Sequence, residues 1–302
     1  MVTAPGFSLF LPQMRMPFEV ILDKARVAER AGFDGIAIMD HLAPPGVPHT
    51  ATYDAFVDAS ALAMVTERLR IAHLVLCAQF RHPAMLAKEA VSLDHLSGGR
   101  FDLGIGWGSV PDELERFDCG NETPAVRAAR LAETLDVVTK LWTGEVFDHV
   151  GRFWTMRQAQ QQPTPLKGRI PIIIGGGGPK LTMPLVRKYA TWWNAPSYAA
   201  DRLDDLLPLA GGARVTTQHP ITLGRSAAQV DALTGDARRR FGHWGGTIEG
   251  TPQVVASALA AVARKGVEHF YLLFTDFASP ETLELFGAEV IPAVRDAVRS
   301  QA

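Results

Sequence analysis

Short apolar runs alternate with helix-period stretches from one end of the chain to the other. The runs are Gly6 to Leu11, Phe33 to Met39, Leu69 to Cys77, Phe101 to Gly106, Ile170 to Ile174, Thr191 to Ala195, Pro220 to Gly224 and Glu268 to Thr275. Their length suits buried strands. Between them, Pro17 to Ala31 reads as a helix stopped by Gly32. Thr123-Pro124 opens a helix that puts Leu131, Leu135, Val138 and Trp142 on one face, and Ser279-Pro280 opens the last one. Eight strand–helix units in 302 residues predict an α/β fold, a (β/α)8 barrel in preference to a doubly wound sheet, with 1–302 as one domain. Two stretches exceed the repeating unit. Thr143 to Lys167 contains EVFDHVGRFWTM, which alternates like a hairpin. Asp231 to Thr251 carries DARRRF and then GHWGG, and is either a mobile segment at the active site or a solvated surface helix.

The stretch Ile172 to Lys180, IIIGGGGPK, runs from a buried strand through four glycines toward a helical pattern, LTMPLVRKYA. Glycines leave backbone N–H groups uncovered, and Pro179 presets a first helical turn. The positive end of that helix would face whatever Gly175, Gly176, Gly177 and Gly178 cradle, which predicts a phosphate site. A second glycine turn, FDLGIGWGS, contains Gly104, Gly106 and Gly108 and ends at Ser109. Neither turn carries a nucleotide signature. The first lacks Gly-Lys-Ser/Thr, and the second lacks the late glycine of a dinucleotide fingerprint.

Charge narrows the partners. Thirty basic and 32 acidic residues give a net charge of −2 without runs of either sign, so no footprint for nucleic acid or an anionic membrane exists and a small-molecule substrate is expected. Cys77 lies in an apolar strand and Cys119 in a polar loop, which supplies neither a disulfide framework nor metal-site spacing. No charged leader with an apolar core opens the sequence, and no apolar run approaches the roughly 18 residues of a membrane span, so a soluble, cytoplasmic protein is expected.

In a barrel the chemistry sits where strands end. Asp40-His41 ends strand two, His73 to Gln79 strand three, Gly106-Trp107-Gly108-Ser109 strand four, the four glycines strand five, Trp193-Asn194 strand six and Asp276 strand eight. No lysine ends a strand, which argues against a Schiff-base aldolase, and no His-x-His closes strand one, which argues against a metal-dependent hydrolase. Reactivity must then come from an organic cofactor, with no metal. Trp107 either stacks on a ring or fills the mouth. Trp192 and Trp193 point to opposite faces, Asn194 shares the facing of Trp192, and which face is inward stays open.

Six phrases, in order, resemble the bacterial luciferase-like superfamily and most of all its branch that uses the deazaflavin coenzyme F420. They are FDGIAIMDHL, LRIAHLVLCAQFRHPAMLAKEAVSLDHLSGGRFDLGIGWG, LWTGEVFDHVGRFW, PIIIGGGGPK, YATWWN and HFYLLFTDFASPETLELFGAEVIPAVR. The resemblance implies a TIM-type barrel with the cofactor ring at its mouth and the phosphate tail between Gly106 to Ser109 and Gly175 to Gly178. It further implies that Asp40 contacts the ring, that His41 faces the substrate and moves its proton, and that a non-proline cis bond at His73-Leu74 props the ring. Two positions depart from the pattern: Ser109 stands where the dehydrogenases carry a glutamate acid, and His73 replaces a small or hydroxyl residue. The expected activity is hydride transfer between F420 and a small organic substrate. The alternatives are a reduced-FMN monooxygenase served by a separate flavin reductase, or a non-catalytic flavin-binding protein. A homodimer is expected from the resemblance alone.

Overall fold

Alternation along the apolar runs sorts their side chains into two layers, one facing the lumen of a barrel and one facing its helices. A computed structural model describes residues 4–120 and 122–300. Its barrel strands are β1 (Gly6–Phe10), β2 (Gly35–Ile38), β3 (Arg70–His73, resumed at Leu76–Cys77), β4 (Phe101–Gly106), β5 (Ile172–Gly175), β6 (Trp192–Ala195), β7 (Arg214–Leu223) and β8 (Val267–Phe274). Each pairs in parallel with the next, and β8 pairs with β1 through Gly6↔His269 to Leu9↔Leu272, which closes the ladder. The (β/α)8 expectation is met.

Leu9, Ile36, Ile38, Ile71, Leu103, Ile105, Ile172, Ile174 and Leu272 face outward into the helical layer. Phe10, Ala37, Met39, Ala72, Leu74, Ile173, Tyr271 and Leu273 fill the lumen. Polar groups close its lower end in pairs. Arg70 Nε donates to Asp102 Oδ2 at 2.7 Å, and Ser8 Oγ meets His269 Nε2 at 2.7 Å. Burial pushes the His269 pKa down to about 3, so this ring is neutral. Gly104 is required on the inner face of β4, because a Cβ there would lie 1.7 Å from the His73 carbonyl oxygen.

Strand β7 begins at Arg214 rather than Pro220, six residues earlier than the apolar run suggested. Its first half, RVTTQ, turns polar Thr216 and Gln218 toward the lumen, which broke the hydrophobic pattern while the β-branched residues kept the extended form. Helices Phe18–Arg30, Ala55–Val65, Pro83–Leu96, Pro124–Leu141, Thr182–Tyr189, Pro252–Ala263 and Ile291–Arg299 form most of the outer layer. Thr123 and Ser279 cap their helices ahead of Pro124 and Pro280, as the sequence predicted. The first insertion is the expected hairpin, Phe147–Val150 against Thr155–Ala159. The second is helix Ala227–Phe241, a turn at Gly242–Trp244 and a short strand, Ile248–Gly250, that pairs with the end of β7. Among the described residues no helix is long and apolar enough to cross a membrane.

Candidate active site

The C-terminal ends of β2 to β6 surround a cavity of about 460 Å³. Both glycine turns line it. At the first, Gly108 takes φ +83°; at the second, Gly176 takes φ +129°, values that disfavour any side chain. The amides of Gly108, Ser109 and Gly178 donate to no acceptor among the described residues, which leaves them available to an anion in the cavity. The two turns are joined by Trp107, whose Nε1 donates to Thr182 Oγ1 at 3.3 Å while the Arg127 guanidinium lies 5.4 Å from its ring centroid. Trp107 therefore lines the cavity and is held from behind. Val75 rises between the turns, since Cβ atoms at Gly106 and Gly175 would meet its methyls at 3.0 and 3.1 Å. Tyr198 and Arg202, on the 3₁₀ helix Ser197–Arg202 after β6, form the outer wall with the phenol beside the Gly177 amide.

Asp40 and His41, at the end of β2, form the opposite wall. The Asp40 carboxylate is committed to structure. Its Oδ2 accepts from Arg81 Nη1 at 2.6 Å and Cys77 N at 2.9 Å, and its Oδ1 from Arg81 Nη2 at 3.0 Å. This forked pair ties the chain after β3 to the end of β2. His41 Nδ1 lies 2.8 Å from Glu113 Oε2, and the other Glu113 oxygen accepts from the amides of Leu42 at 2.6 Å and Ala43 at 3.0 Å. Burial acts to raise the Glu113 pKa, but His41 and the two amides outweigh it and hold the carboxyl below its ordinary value. A second cavity, of about 370 Å³, lies beyond Asp40 and His41 and is walled by Thr52, Tyr53, Asp54, Phe80 and Arg81.

A family description for luciferase-like monooxygenases matches residues 1–206 of the sequence. The chain belongs to the luciferase-like monooxygenase family. Within that family it is 33% identical over 165 residues to an F420-dependent glucose-6-phosphate dehydrogenase of Microbacterium testaceum, covering 54% of this chain and 48% of that protein. It is 30% identical over 169 residues to the oxygenase component of a flavin-dependent trigonelline monooxygenase of Acinetobacter baylyi, covering 53% and 46%. Its fold matches that of an F420-dependent secondary alcohol dehydrogenase solved with an F420–acetone adduct, with a TM-score of 0.79, 19% identity, and 97% and 99% of the two chains covered. The family thus includes enzymes dependent on F420 and enzymes dependent on flavin.

Several expectations for this luciferase-like chain change in detail. The non-proline cis bond is Leu74–Val75, one residue beyond His73-Leu74. His73 is still in the ladder, paired with Ile38, and faces the helices instead of the cavity. It is fully buried between Phe56 and Phe101, at centroid distances of 4.8 and 5.4 Å, and its Nε2 donates to Ala55 O at 3.1 Å. Burial pushes its pKa down to about 4, so His73 is a neutral core residue; Leu74 and Val75 are the wall residues. Pro179 lines the cavity but does not open the helix, which starts at Thr182. On β6, Asn194 faces the cavity and donates to Thr216 Oγ1 at 2.9 Å, whereas Trp193 faces outward and donates to Gly176 O at 2.8 Å, which fixes the glycine turn. The GHWGG segment does not line the main cavity. It covers the neighbouring lumen, with Trp244 against Phe10 and Phe241. Arg81, Glu113 and Val75 were not singled out in the sequence, although Val75 lies within the His73 to Gln79 strand end and Glu113 stands four residues past Ser109.

Proposed function

We propose that this luciferase-like protein is an oxidoreductase that moves a hydride between coenzyme F420 and a small organic substrate. The observation that carries this reading is that two glycine turns with uncommitted amides open into the same cavity as His41. Those amides fit a phosphate, the face of Trp107 and the side of Val75 fit a flat ring, and the Glu113-paired imidazole fits a proton-transfer role. Gly106, Trp107, Gly108 and Ser109 would hold the tail on one side and Gly175 to Pro179 on the other, while Asp40 would shape the ring site through Arg81 and Cys77. The bound deazaflavin would accept or supply a hydride. His41 takes or returns the proton of the substrate hydroxyl, and the cavity walls exclude water.

A reduced-FMN monooxygenase served by a separate reductase is the second reading, favoured by the likeness to a flavin-dependent oxygenase component. The pairing of His41 with Glu113 argues against a passive flavin-binding protein. On the leading reading the 302 residues act as one domain, in the cytoplasm and as a homodimer. Equilibrating the protein separately with F420 and FMN, then following hydride exchange and oxygen uptake, tests the assignment. Tight F420 binding with substrate-dependent reduction supports it. Tight FMN binding with oxygen uptake replaces it with the second reading, and binding of neither overturns both.

A further inference from the structure

We infer that Glu113 is a positioning residue that keeps a proton on His41 Nδ1, so that in the neutral ring it is Nε2 that presents a lone pair to the cavity. The inference rests on the proton-transfer role proposed above for His41. Glu113 sits on the short helix Pro111–Arg116 that follows the second glycine turn, and its side chain is 5% exposed. Three groups converge on its carboxylate: His41 Nδ1 at 2.8 Å, Leu42 N at 2.6 Å and Ala43 N at 3.0 Å. Two of these are backbone amides, which can only donate. A deprotonated carboxylate satisfies all three, and its lowered pKa keeps it in that form at neutral pH. An ionised Glu113 carries no proton, so the hydrogen between it and His41 belongs to Nδ1.

The consequence falls on the far side of the ring. Nε2 has no hydrogen-bond partner among the described residues, and the ring borders both cavities. The neighbouring Asp40 does not compete for it, because Arg81 and the Cys77 amide take its oxygens. In the oxidation of a secondary alcohol the O–H proton passes to Nε2, and a bound cofactor would supply the acceptor for the C–H hydride, leaving a ketone. The imidazolium so formed keeps Nδ1–H on Glu113, which gains no proton. Ketone reduction runs the same transfers backward.

The first test needs neither cofactor nor substrate. Nitrogen-15 shifts of the His41 ring, assigned by their loss in His41→Ala, should show a pyrrole-type Nδ1 and a pyridine-type Nε2. Glu113→Gln keeps an oxygen for the Leu42 and Ala43 amides but turns an NH₂ donor toward Nδ1, so the two shifts should exchange character. In the loaded enzyme the same variant should lower kcat by about 10²–10³-fold with cofactor affinity unchanged, the scale of a lost proton-transfer group. A native ring protonated on Nε2, or a folded Glu113→Gln variant with unmoved shifts, overturns the inference. Correct shifts in a protein that binds neither F420 nor FMN would overturn the functional reading and leave the positioning of His41 standing. If Glu113→Gln does not fold, the native shifts alone decide.

Discussion

Asp58 sits in an unfavourable place for a carboxylate. It lies on helix Ala55–Val65, is fully buried, and neither oxygen has a partner among the described residues. Burial first, and Asp54 second, push its pKa up to about 7 from 3.8. Between those values the folded chain keeps a proton that the unfolded chain has released. Stability therefore falls as pH rises through that window, and the penalty is complete above about 7. Asp58→Asn, with the same shape and no charge, should gain on the order of 1–3 kcal/mol at pH 8 and much less at pH 5. Urea melts at the two pH values check this, and an equal gain at both would mean that ionisation is not the cause. Cavity-lining residues were legible where a strand end announced them. Asp40, His41, Trp107 and the two glycine turns were all found that way. Glu113 and Arg81 were not, because each reaches the site through a long side chain from a helix or a loop, and linear spacing does not encode that reach.

At the scale of elements, the terminal helices show how tightly the outer layer is fitted. Leu283 and Phe286 bring the π-helical turn Phe286–Val290 into the core, and Gly287 meets the end of helix Phe18–Arg30 there. A Cβ at Gly287 would lie 1.9 Å from the Ala31 carbonyl oxygen, a backbone atom that cannot rotate away. Gly287→Ala should cost about 1–3 kcal/mol, seen as a lower Tm by circular dichroism, with site geometry unaffected. Seven of the eight barrel strands were readable as apolar runs close to their observed bounds, because both faces of each are buried. Only β7 was half-hidden, and the polar lumen residues that hid it are those that shape the mouth. Helix starts were legible from Thr-Pro and Ser-Pro caps, whereas Pro179 misled because glycines on one side of it and Lys180-Leu181 on the other delay the helix to Thr182.

For the whole molecule, the two ends of the barrel have been given different tasks. The lower end is plugged by Arg70–Asp102 and Ser8–His269, while the upper end carries the cavity and, beside it, the GHWGG cover. That cover is latched at two points. Ser197 Oγ donates to Trp244 O at 2.9 Å, and His219 Nδ1 donates to Gly246 O at 2.8 Å. Burial holds the His219 pKa below its ordinary value, so the ring stays neutral and can also accept from Thr217 Oγ1. His219→Ala should release roughly 1 kcal/mol of this hold and speed amide exchange at 242–246 about fivefold, with the barrel strands unchanged. Exchange that is no faster than in the parent would show that Trp244 packing alone seats the cover.

Closure of the ladder from β8 back to β1 reaches beyond the site. Every barrel strand has a neighbour on each side, so the closed ring itself offers no open edge to a strand from another molecule. Crowding or partial heating therefore lacks the usual template for edge-to-edge aggregation at the barrel. Any association between copies through this layer must be made by side chains on the helices, where Val57 and Met64 stand exposed, and single charged substitutions can edit such a contact without touching the fold.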